Sequence, residues 1–389
     1  MPFLRPTSST RGAALFGGLA LGLTAAWNIA NVGPAAGVLA KTYDVRLGAV
    51  GFLTTALFLT HFGVQIPGGR LIDRLGARRV GFGALAAIVA GNAIALAAAS
   101  FPLALIGRLV AGFGTGTGFV AGSDYVRAAS GSPTAQGVYG GASVGGGGLA
   151  VAIVALLTPS LGWRAPYVSA LALVPLGLAL ALAPADAPRP PRAEGGVGDV
   201  VRDRRLYPLA AVHTASFGFS VILGNWVVPL LTHDGYSRRE AGLVGALTLL
   251  GGLLTRPVGG IAMQRSPHAT PLLVGGSMVA GAVGTIVVAA PVSLPLRLAA
   301  SALVGLAAGI PFAAAFTGAA ARRPDTPAAA VGLVNSSATL AIVAGAPLVG
   351  FAFALPGHGR IGFAVIAALW AAAALAAVPP RLTPRPVRG

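Results

Sequence analysis

The sequence predicts an all-α membrane protein in which twelve transmembrane helices form two pseudo-symmetric bundles of six. Hydrophobic residues make up 55% of the 389 residues and charged residues only 10%, with a mean hydropathy of +0.80, unlike a soluble domain. Apolar windows of about 20 residues, the length that crosses a bilayer core, recur along the whole chain. A β-barrel would instead alternate apolar and polar residues in segments of about ten, and the sequence lacks that pattern.

Twelve apolar segments separated by short polar turns are the predicted spans. They are 12–40, 47–72, 80–99, 102–124, 136–158, 165–184, 206–232, 240–263, 271–291, 295–319, 328–354 and 361–379. The 57 glycines are consistent with this prediction, because small residues allow membrane helices to approach closely.

A long polar stretch divides the chain into two sets of six spans. We expect an N-terminal lobe over 1–184, a cytoplasmic linker over 185–205 with the composition of a solvated loop, and a C-terminal lobe over 206–389. The lobes are weakly similar: IPGGRLIDR at 66–74 aligns with PVGGIAMQR at 257–265. The alternative is chance similarity between glycine-rich helices.

The net charge of +17 follows the pattern of a membrane protein rather than that of a nucleic-acid-binding protein. Most arginines lie in segments that are cytoplasmic if the N-terminus is cytoplasmic, which is the positive-inside distribution. We therefore expect a multi-pass protein of the cell (inner) membrane, with lipid around it and both termini in the cytoplasm. With no cysteine in the sequence there is no thiol chemistry, and we expect neither a metal nor another cofactor.

The segment GGRLIDRLGARR at 68–79 combines two glycines, an aspartate and a basic cluster. A glycine in the helix permits close packing, Gly76 permits a turn with unusual backbone angles, and Asp73 can accept charge-assisted hydrogen bonds. The alternative, a solvated basic turn, explains the arginines but not the aspartate. The segment resembles the loop signature of the major facilitator superfamily, and this resemblance implies a gating role for Gly69, Asp73, Arg74, Gly76, Arg78 and Arg79.

Two further segments extend this resemblance along the chain. RLVAGFGTG at 108–116 resembles the fourth helix of the superfamily, and GWRAPY at 162–167 resembles the entry to its sixth. We include Arg108 among the gating candidates, with packing or snorkelling as the alternative. The resemblance implies a secondary transporter with a substrate site near the membrane midplane.

Arg256 lies well inside a predicted span. A guanidinium there costs several kcal/mol unless it faces a cavity or the bundle interior. All ten acidic residues lie in loops or at helix ends, which leaves an anionic substrate as the counter-ion, since guanidinium suits nitrate or carboxylate. The same absence argues against proton coupling through a carboxylate. His61, His213 or the substrate itself would have to carry a proton, whereas exchange for a counter-anion needs none of them.

The neighbourhood of Arg256 resembles the nitrate/nitrite porter branch of the superfamily. TRPVGG at 255–260 resembles its eighth helix, in which an arginine binds substrate, and QGVYGGASVGGGGLA at 136–150 resembles its glycine-rich fifth helix. Gln65 replaces the second arginine of that branch, and Ser143 and Thr339 replace asparagines. These departures favour a different small anion, such as cyanate or a monocarboxylate.

Several polar residues inside the spans are further candidates for substrate binding. Bonding to another helix is the alternative for each of them, including His61, which could also titrate near neutral pH. The predicted binding set is Arg256, Gln65, His61, Asn28, Asn31, Ser143, Asn225 and Asn335.

Three other functions were weighed against anion transport. A drug or metabolite exporter of the same fold would favour bulky, apolar or cationic substrates. An enzyme would need a nucleophile with its base or a metal cluster within the membrane, and the spans contain neither, so we expect no enzyme. A receptor of this fold that cannot transport has the same sequence features, and only flux separates the two.

Overall fold

The computed structural model describes residues 8–45, 47–179, 197–353 and 355–377, and within these ranges the chain is helical without a β-strand. Helices lie within each of the twelve predicted spans, and residues 180–184 of the sixth span lie outside the described residues. The prediction of an all-α membrane protein is therefore confirmed.

The described residues form two compact units. The N-terminal unit lies within Met1–Ala135, Ala142–Val197 and Asp325–Gly332, and the C-terminal unit lies within Gln136–Gly141, Gly198–Pro324 and Leu333–Gly389. One short piece of each half thus packs with the other half's unit. The boundaries at 184 and 205 expected for the lobes stay a prediction.

Eight helices precede the linker. They are α1 (Ser8–Ala30), α2 (Ala36–Thr42), α3 (Leu47–Leu75), α4 (Ala77–Leu96), α5 (Phe101–Ser130), α6 (Pro133–Leu161), α7 (Ala165–Ala172) and α8 (Val174–Gly177). Helix α5 packs on α1, α3 and α4. It is glycine-rich and almost wholly buried over residues 114–126, so it forms the core of the N-terminal unit.

Nine further α-helices are described, the first of them within the expected linker. They are α9 (Val197–Arg202), α10 (Tyr207–His213), α11 (Ser220–His233), α12 (Arg238–Arg265), α13 (Thr270–Ala289), α14 (Leu294–Gly309), α15 (Pro311–Arg322), α16 (Pro327–Ala352) and α17 (Arg360–Ala376). Helix α14 packs on α12 and α13, and α17 packs on α13. A six-residue π-helical segment, Thr214–Phe219, connects α10 to α11.

Some predicted spans are interrupted where proline removes a backbone donor. The first span breaks around Pro34, between α1 and α2, and the tenth breaks at Pro311, which begins α15. Pro67 and Pro257, in contrast, lie inside the continuous helices α3 and α12. Proline inside a membrane helix is tolerated when neighbouring groups satisfy the backbone.

Local sequence fixes the helix ends. Ser237 and Glu240 form a reciprocal capping box at the start of α12, and Gly131 ends α5 with a φ of 64°. These devices satisfy backbone groups that a helix leaves without partners.

Among the described residues, nine helical segments are long and apolar enough to cross a membrane, and Arg360–Ala376 is a shorter apolar helix. Large apolar side chains point outward from them, for example Leu272, Val283 and Leu375. Such exposed apolar surface is what a surrounding bilayer requires.

Candidate functional site

Arg256 lies within α12 and is only 4% exposed. Its Nη1 donates to the carbonyl oxygen of Gly140 on α6 at 2.9 Å, and its guanidinium carbon lies 4.5 Å from the ring centre of Phe312 and 5.6 Å from that of Phe217. The buried Nε has no hydrogen-bond partner, and within the described chain no acidic side chain pairs with this arginine. The Nε donor of the guanidinium is therefore available to an acceptor.

The glycines of α6 explain how this helix approaches Arg256 so closely. A Cβ on Gly137 would overlap the carbonyl oxygen of Arg256, and a Cβ on Gly140 would overlap the ring of Phe312. Gly141 lies against Pro257 and the carbonyl of Leu253. The glycine spacing that resembles the porter signature therefore brings the α6 backbone into direct contact with α12 at the arginine.

His213 ends α10 beside the same aromatic rings and is 1% exposed. Its Nε2 lies 3.1 Å from Oδ1 of Asn335, while Nδ1 has no partner. The imidazole stacks on Phe217 at 5.6 Å and contacts Phe316 at 4.9 Å between ring centres. The sequence predicts His213 only as one possible proton carrier, and its signal as a site residue is tertiary, since Asn335 lies 122 residues away in the chain.

Gln65 occupies the position on α3 that corresponds to Arg256 in the repeat. It is fully buried, and neither amide atom of its side chain has a partner. A Cβ on Gly332 of α16 would overlap the backbone oxygen of Gln65, as one on Gly137 would overlap that of Arg256. The similarity between the two halves of the sequence is thus matched by a similar glycine contact within each unit.

His61 and Ser143 are also buried in the N-terminal unit, at 2% exposure each. Nδ1 of His61 lies 2.9 Å from the hydroxyl of Thr115 on α5, so this imidazole bonds a neighbouring helix. The side chain of Asn225 lies outside the described residues.

Asn28, Asn31 and Arg108 form one buried network in the N-terminal unit. Arg108 donates to Oδ1 of Asn31, to the carbonyl of Asn28 and to the carbonyl of Leu53 at 2.8–3.2 Å. Asn31 donates to the carbonyl of Pro166, and Oδ1 of Asn28 accepts from Asn92. Both asparagines therefore bond to other helices, and their role in substrate binding stays a prediction.

The loop between α3 and α4 has the backbone features that its sequence predicts. Gly76 has a φ of 92°, and Gly69 is so close to the start of α16 that a Cβ would lie 2.6 Å from the carbonyl oxygen of Ala328. Asp73 accepts from the backbone N–H groups of Ala328 and Ala329 at 3.1 and 3.2 Å. The carboxylate thus caps the positive end of α16, while the gating role of the loop stays a prediction.

A buried arginine that the sequence did not single out lies near the start of α14. Arg297 is 1% exposed, forms a 2.6 Å ion pair with Asp234 and lies 5.1 Å from the ring centre of Tyr236. Arg360 binds the other oxygen of Asp234 at 2.7 Å. Burial raises the pKa of Asp234, but the hydrogen bonds and charges of the two arginines outweigh it and hold the pKa below its ordinary value.

A groove of about 730 Å³ on α13, α14 and α17 is separate from all these residues. Its lining is almost wholly apolar, with His268 at its rim. None of the predicted site residues lines it, and it lies on a surface whose side chains are exposed and apolar.

The family model described as Major Facilitator Superfamily matches residues 18–346. No curated protein sequence matches the chain. Three solved structures illustrate the structural similarity. A variant of the Escherichia coli fucose:proton symporter FucP has a TM-score of 0.68 at 16% identity, covering 93% of this chain and 97% of that one. FucP in the outward conformation has a TM-score of 0.72 at 16% identity, covering 94% and 97%.

The third, the human organic anion transporter MFSD10, has a TM-score of 0.75 at 20% identity, covering 96% of this chain and all of that one. At these identities the similarity establishes the fold.

Proposed function

Because the chain belongs to the major facilitator superfamily, we propose that it is a secondary transporter of a small monovalent anion, with Arg256 as the residue that binds the anionic group. Nitrate, nitrite, cyanate and small carboxylates are the substrates in question. The main supporting observation is that Arg256 is buried, has no acidic partner among the residues that the structure describes, and has an Nε without a hydrogen-bond partner.

Two other buried arginines show why Arg256 is different. Arg108 makes three hydrogen bonds to oxygen atoms, and the charge of Arg297 is balanced by Asp234. Arg256 has one hydrogen bond and two aromatic faces. Among these three, Arg256 is therefore the one whose charge has neither a carboxylate nor several oxygen acceptors beside it in the described residues.

Magnitudes support an anion as the missing partner. Contacts with aromatic faces contribute about 0.5–2 kcal/mol each, whereas burying an ion without a counter-charge costs several kcal/mol in addition to the about 1–3 kcal/mol of an unpaired donor. A planar carboxylate or nitrate can accept from two donors of one guanidinium edge. Anion binding thus satisfies the donor and the charge together.

The remaining candidates take supporting roles in this proposal. Gln65, His61, Ser143 and Asn335 are each buried polar residues and would donate or accept hydrogen bonds. Asn28 and Asn31 would act through the network that holds Arg108. The loop with Asp73 would gate the transport cycle.

The test is uptake of labelled anions into proteoliposomes that contain the purified protein. The panel is nitrate, nitrite, cyanate, lactate and pyruvate. We expect saturable uptake of at least one of them, lost in Arg256→Gln and strongly reduced in Arg256→Lys, because lysine keeps the charge but not the fork of donors. Arg265→Gln, at the exposed end of the same helix, is the matched control and should transport normally.

Uptake that is indifferent to Arg256→Gln would reject the assignment of this residue. Absence of uptake for the whole panel would reject anion transport and favour the exporter of larger solutes.

A further inference from the structure

The imidazole of His213 shares its surroundings with the guanidinium of Arg256. Both groups lie over Phe217 and Phe312: the arginine at 5.6 and 4.5 Å, and the histidine at 5.6 and 5.9 Å, from the ring centres. The two groups also interact electrostatically. A change of charge on one of them therefore changes the electrostatic energy of the other.

The hydrogen bond to Asn335 determines which ring nitrogen of His213 carries a hydrogen and which one has a free lone pair. With Oδ1 of Asn335 as the acceptor, the tautomer that forms this hydrogen bond carries its hydrogen on Nε2. A neutral histidine then has a lone pair on Nδ1, and this buried atom has no partner. Nδ1 is thus a basic atom ready to accept a proton beside the anion-binding arginine.

The backbone at this place is also unusual. The π-helical segment Thr214–Phe219 begins directly after His213 and places Phe217 parallel to the imidazole, with 18° between the planes. Short π-helical segments occur often at functional sites. The stacking of Phe217 on His213 is an observation separate from the hydrogen bond between His213 and Asn335.

The groups around His213 determine when it can be charged. Arg256 on α12 is the charged group, and Tyr139 on α6, which interacts with that arginine, is titratable. Helix α15 contributes Phe312 and Phe316, and α16 contributes Asn335. On these elements the described residues place no carboxylate beside the imidazole. A second positive charge next to Arg256 is therefore opposed until an anion binds there.

We propose that His213 binds the transported proton, so that one proton on Nδ1 and one anion on Arg256 bind together and leave together. The anion cancels the charge that opposes protonation, and the protonated imidazole strengthens anion binding by the same factor, since coupling between two ligands is reciprocal. This inference rests on the proposed function and makes the protein an electroneutral anion–proton symporter.

Two assays on the same proteoliposomes separate coupling from binding. Counterflow, the exchange of labelled for unlabelled anion, requires binding but no net proton movement. Accumulation driven by a pH gradient requires the proton site. For a panel anion that the wild type transports, one proton per anion should give about tenfold accumulation for one pH unit of gradient.

We expect His213→Gln, whose side chain retains hydrogen-bonding capacity toward Asn335, to keep counterflow and lose accumulation. His268→Gln, at an exposed histidine, should keep both. Accumulation that persists in His213→Gln while Arg256→Gln abolishes transport would overturn the coupling role and leave the proposed function intact. Loss of all panel transport in the wild type would instead reject the proposed function and the coupling with it.

A measurement on the wild type keeps the inference testable if His213→Gln does not fold. Calorimetric titration of the transported anion in buffers of different ionisation enthalpy counts the protons taken up on binding. We expect close to one proton per anion at a pH where His213 is neutral in the empty protein. No proton uptake at any pH from 5 to 8, the range in which histidine ordinarily titrates, would overturn the proposal.

Discussion

At the scale of single residues, three buried arginines are held by three different kinds of partner. Arg108 is held by amide and carbonyl oxygens, Arg297 by a carboxylate, and Arg256 by one carbonyl and two aromatic rings. The first arrangement gives the guanidinium three oxygen acceptors, and the second balances its charge. The third is suited to a ligand that supplies the negative charge.

The sequence alone identified Arg256 as a candidate site residue, but it did not reveal the partner of Arg297. Arg256 is conspicuous because it lies deep in an apolar span without acidic residues nearby in the chain. Arg297 is two residues inside a predicted span, and its partner Asp234 comes 63 positions earlier, so only the fold reveals the pair. His213 is likewise recognised only through Asn335 and three phenylalanines that the fold brings to it.

Asp234 provides a prediction of pH-dependent stability. Its pKa is held below 3.8 in the folded protein, so its contribution is present above the ordinary pKa of about 3.9 and is lost as the pH falls through the lower folded value. Asp234→Asn should destabilise the protein by about 3 kcal/mol at pH 7, because Arg297 is left buried without its partner. Thermal unfolding in detergent measures the difference.

The difference between wild type and Asp234→Asn should shrink only below about pH 4, where the wild-type carboxylate becomes protonated as well. Asp44→Asn, at an exposed aspartate, is the control and should unfold like the wild type. Equal stability of Asp234→Asn and wild type at pH 7 would contradict the role assigned to this ion pair.

At the scale of helices, each of the two units contains a close helix–helix contact at a glycine. Helix α6 touches α12 at Gly137, and α16 touches α3 at Gly332. In both cases a missing side chain lets one backbone reach the position that corresponds to Arg256 or Gln65. The motif resemblance predicted a glycine-rich helix at α6, but the helix that it contacts became visible only in the structure.

Gly137→Ala tests this packing. The new Cβ would overlap the backbone oxygen of Arg256, which cannot rotate away as a flexible side chain could. Overpacking of this kind costs about 1–3 kcal/mol, so we expect a lower melting temperature and weaker anion uptake. Gly83→Ala, at an exposed helical glycine with open space around it, should match or slightly exceed wild-type stability. A fully stable and active Gly137→Ala would refute the importance of this contact.

Helix interruptions show how far the elements could be predicted. Periodic apolar composition predicts each span, because the bilayer imposes one length and one polarity on every crossing. The break between α14 and α15 coincides with Pro311, whereas Pro257 leaves α12 continuous. Proline alone does not distinguish these outcomes, since neighbouring helices decide whether the backbone groups it disturbs find other partners.

At the scale of the whole molecule, the arginine distribution predicts how the chain is inserted. Helix α13 has 20 residues and therefore spans about 30 Å, the thickness of a bilayer core. Exposed serines flank it, Ser266 at the end next to Arg265 and Ser293 at the other. The positive-inside distribution places Ser266 in the cytoplasm and Ser293 outside.

The absence of cysteine makes this orientation directly measurable, because a single introduced thiol is the only site for a maleimide. In intact cells, a membrane-impermeant maleimide should label Ser293→Cys and leave Ser266→Cys unlabelled until the membrane is opened. The two variants control for each other, since both positions are exposed serines at the ends of one helix. The reverse labelling pattern would invert the predicted topology and move both termini out of the cytoplasm. The substrate site would keep its residues, but the direction of the pH gradient needed to drive accumulation through His213 in reconstituted vesicles would have to be assigned anew.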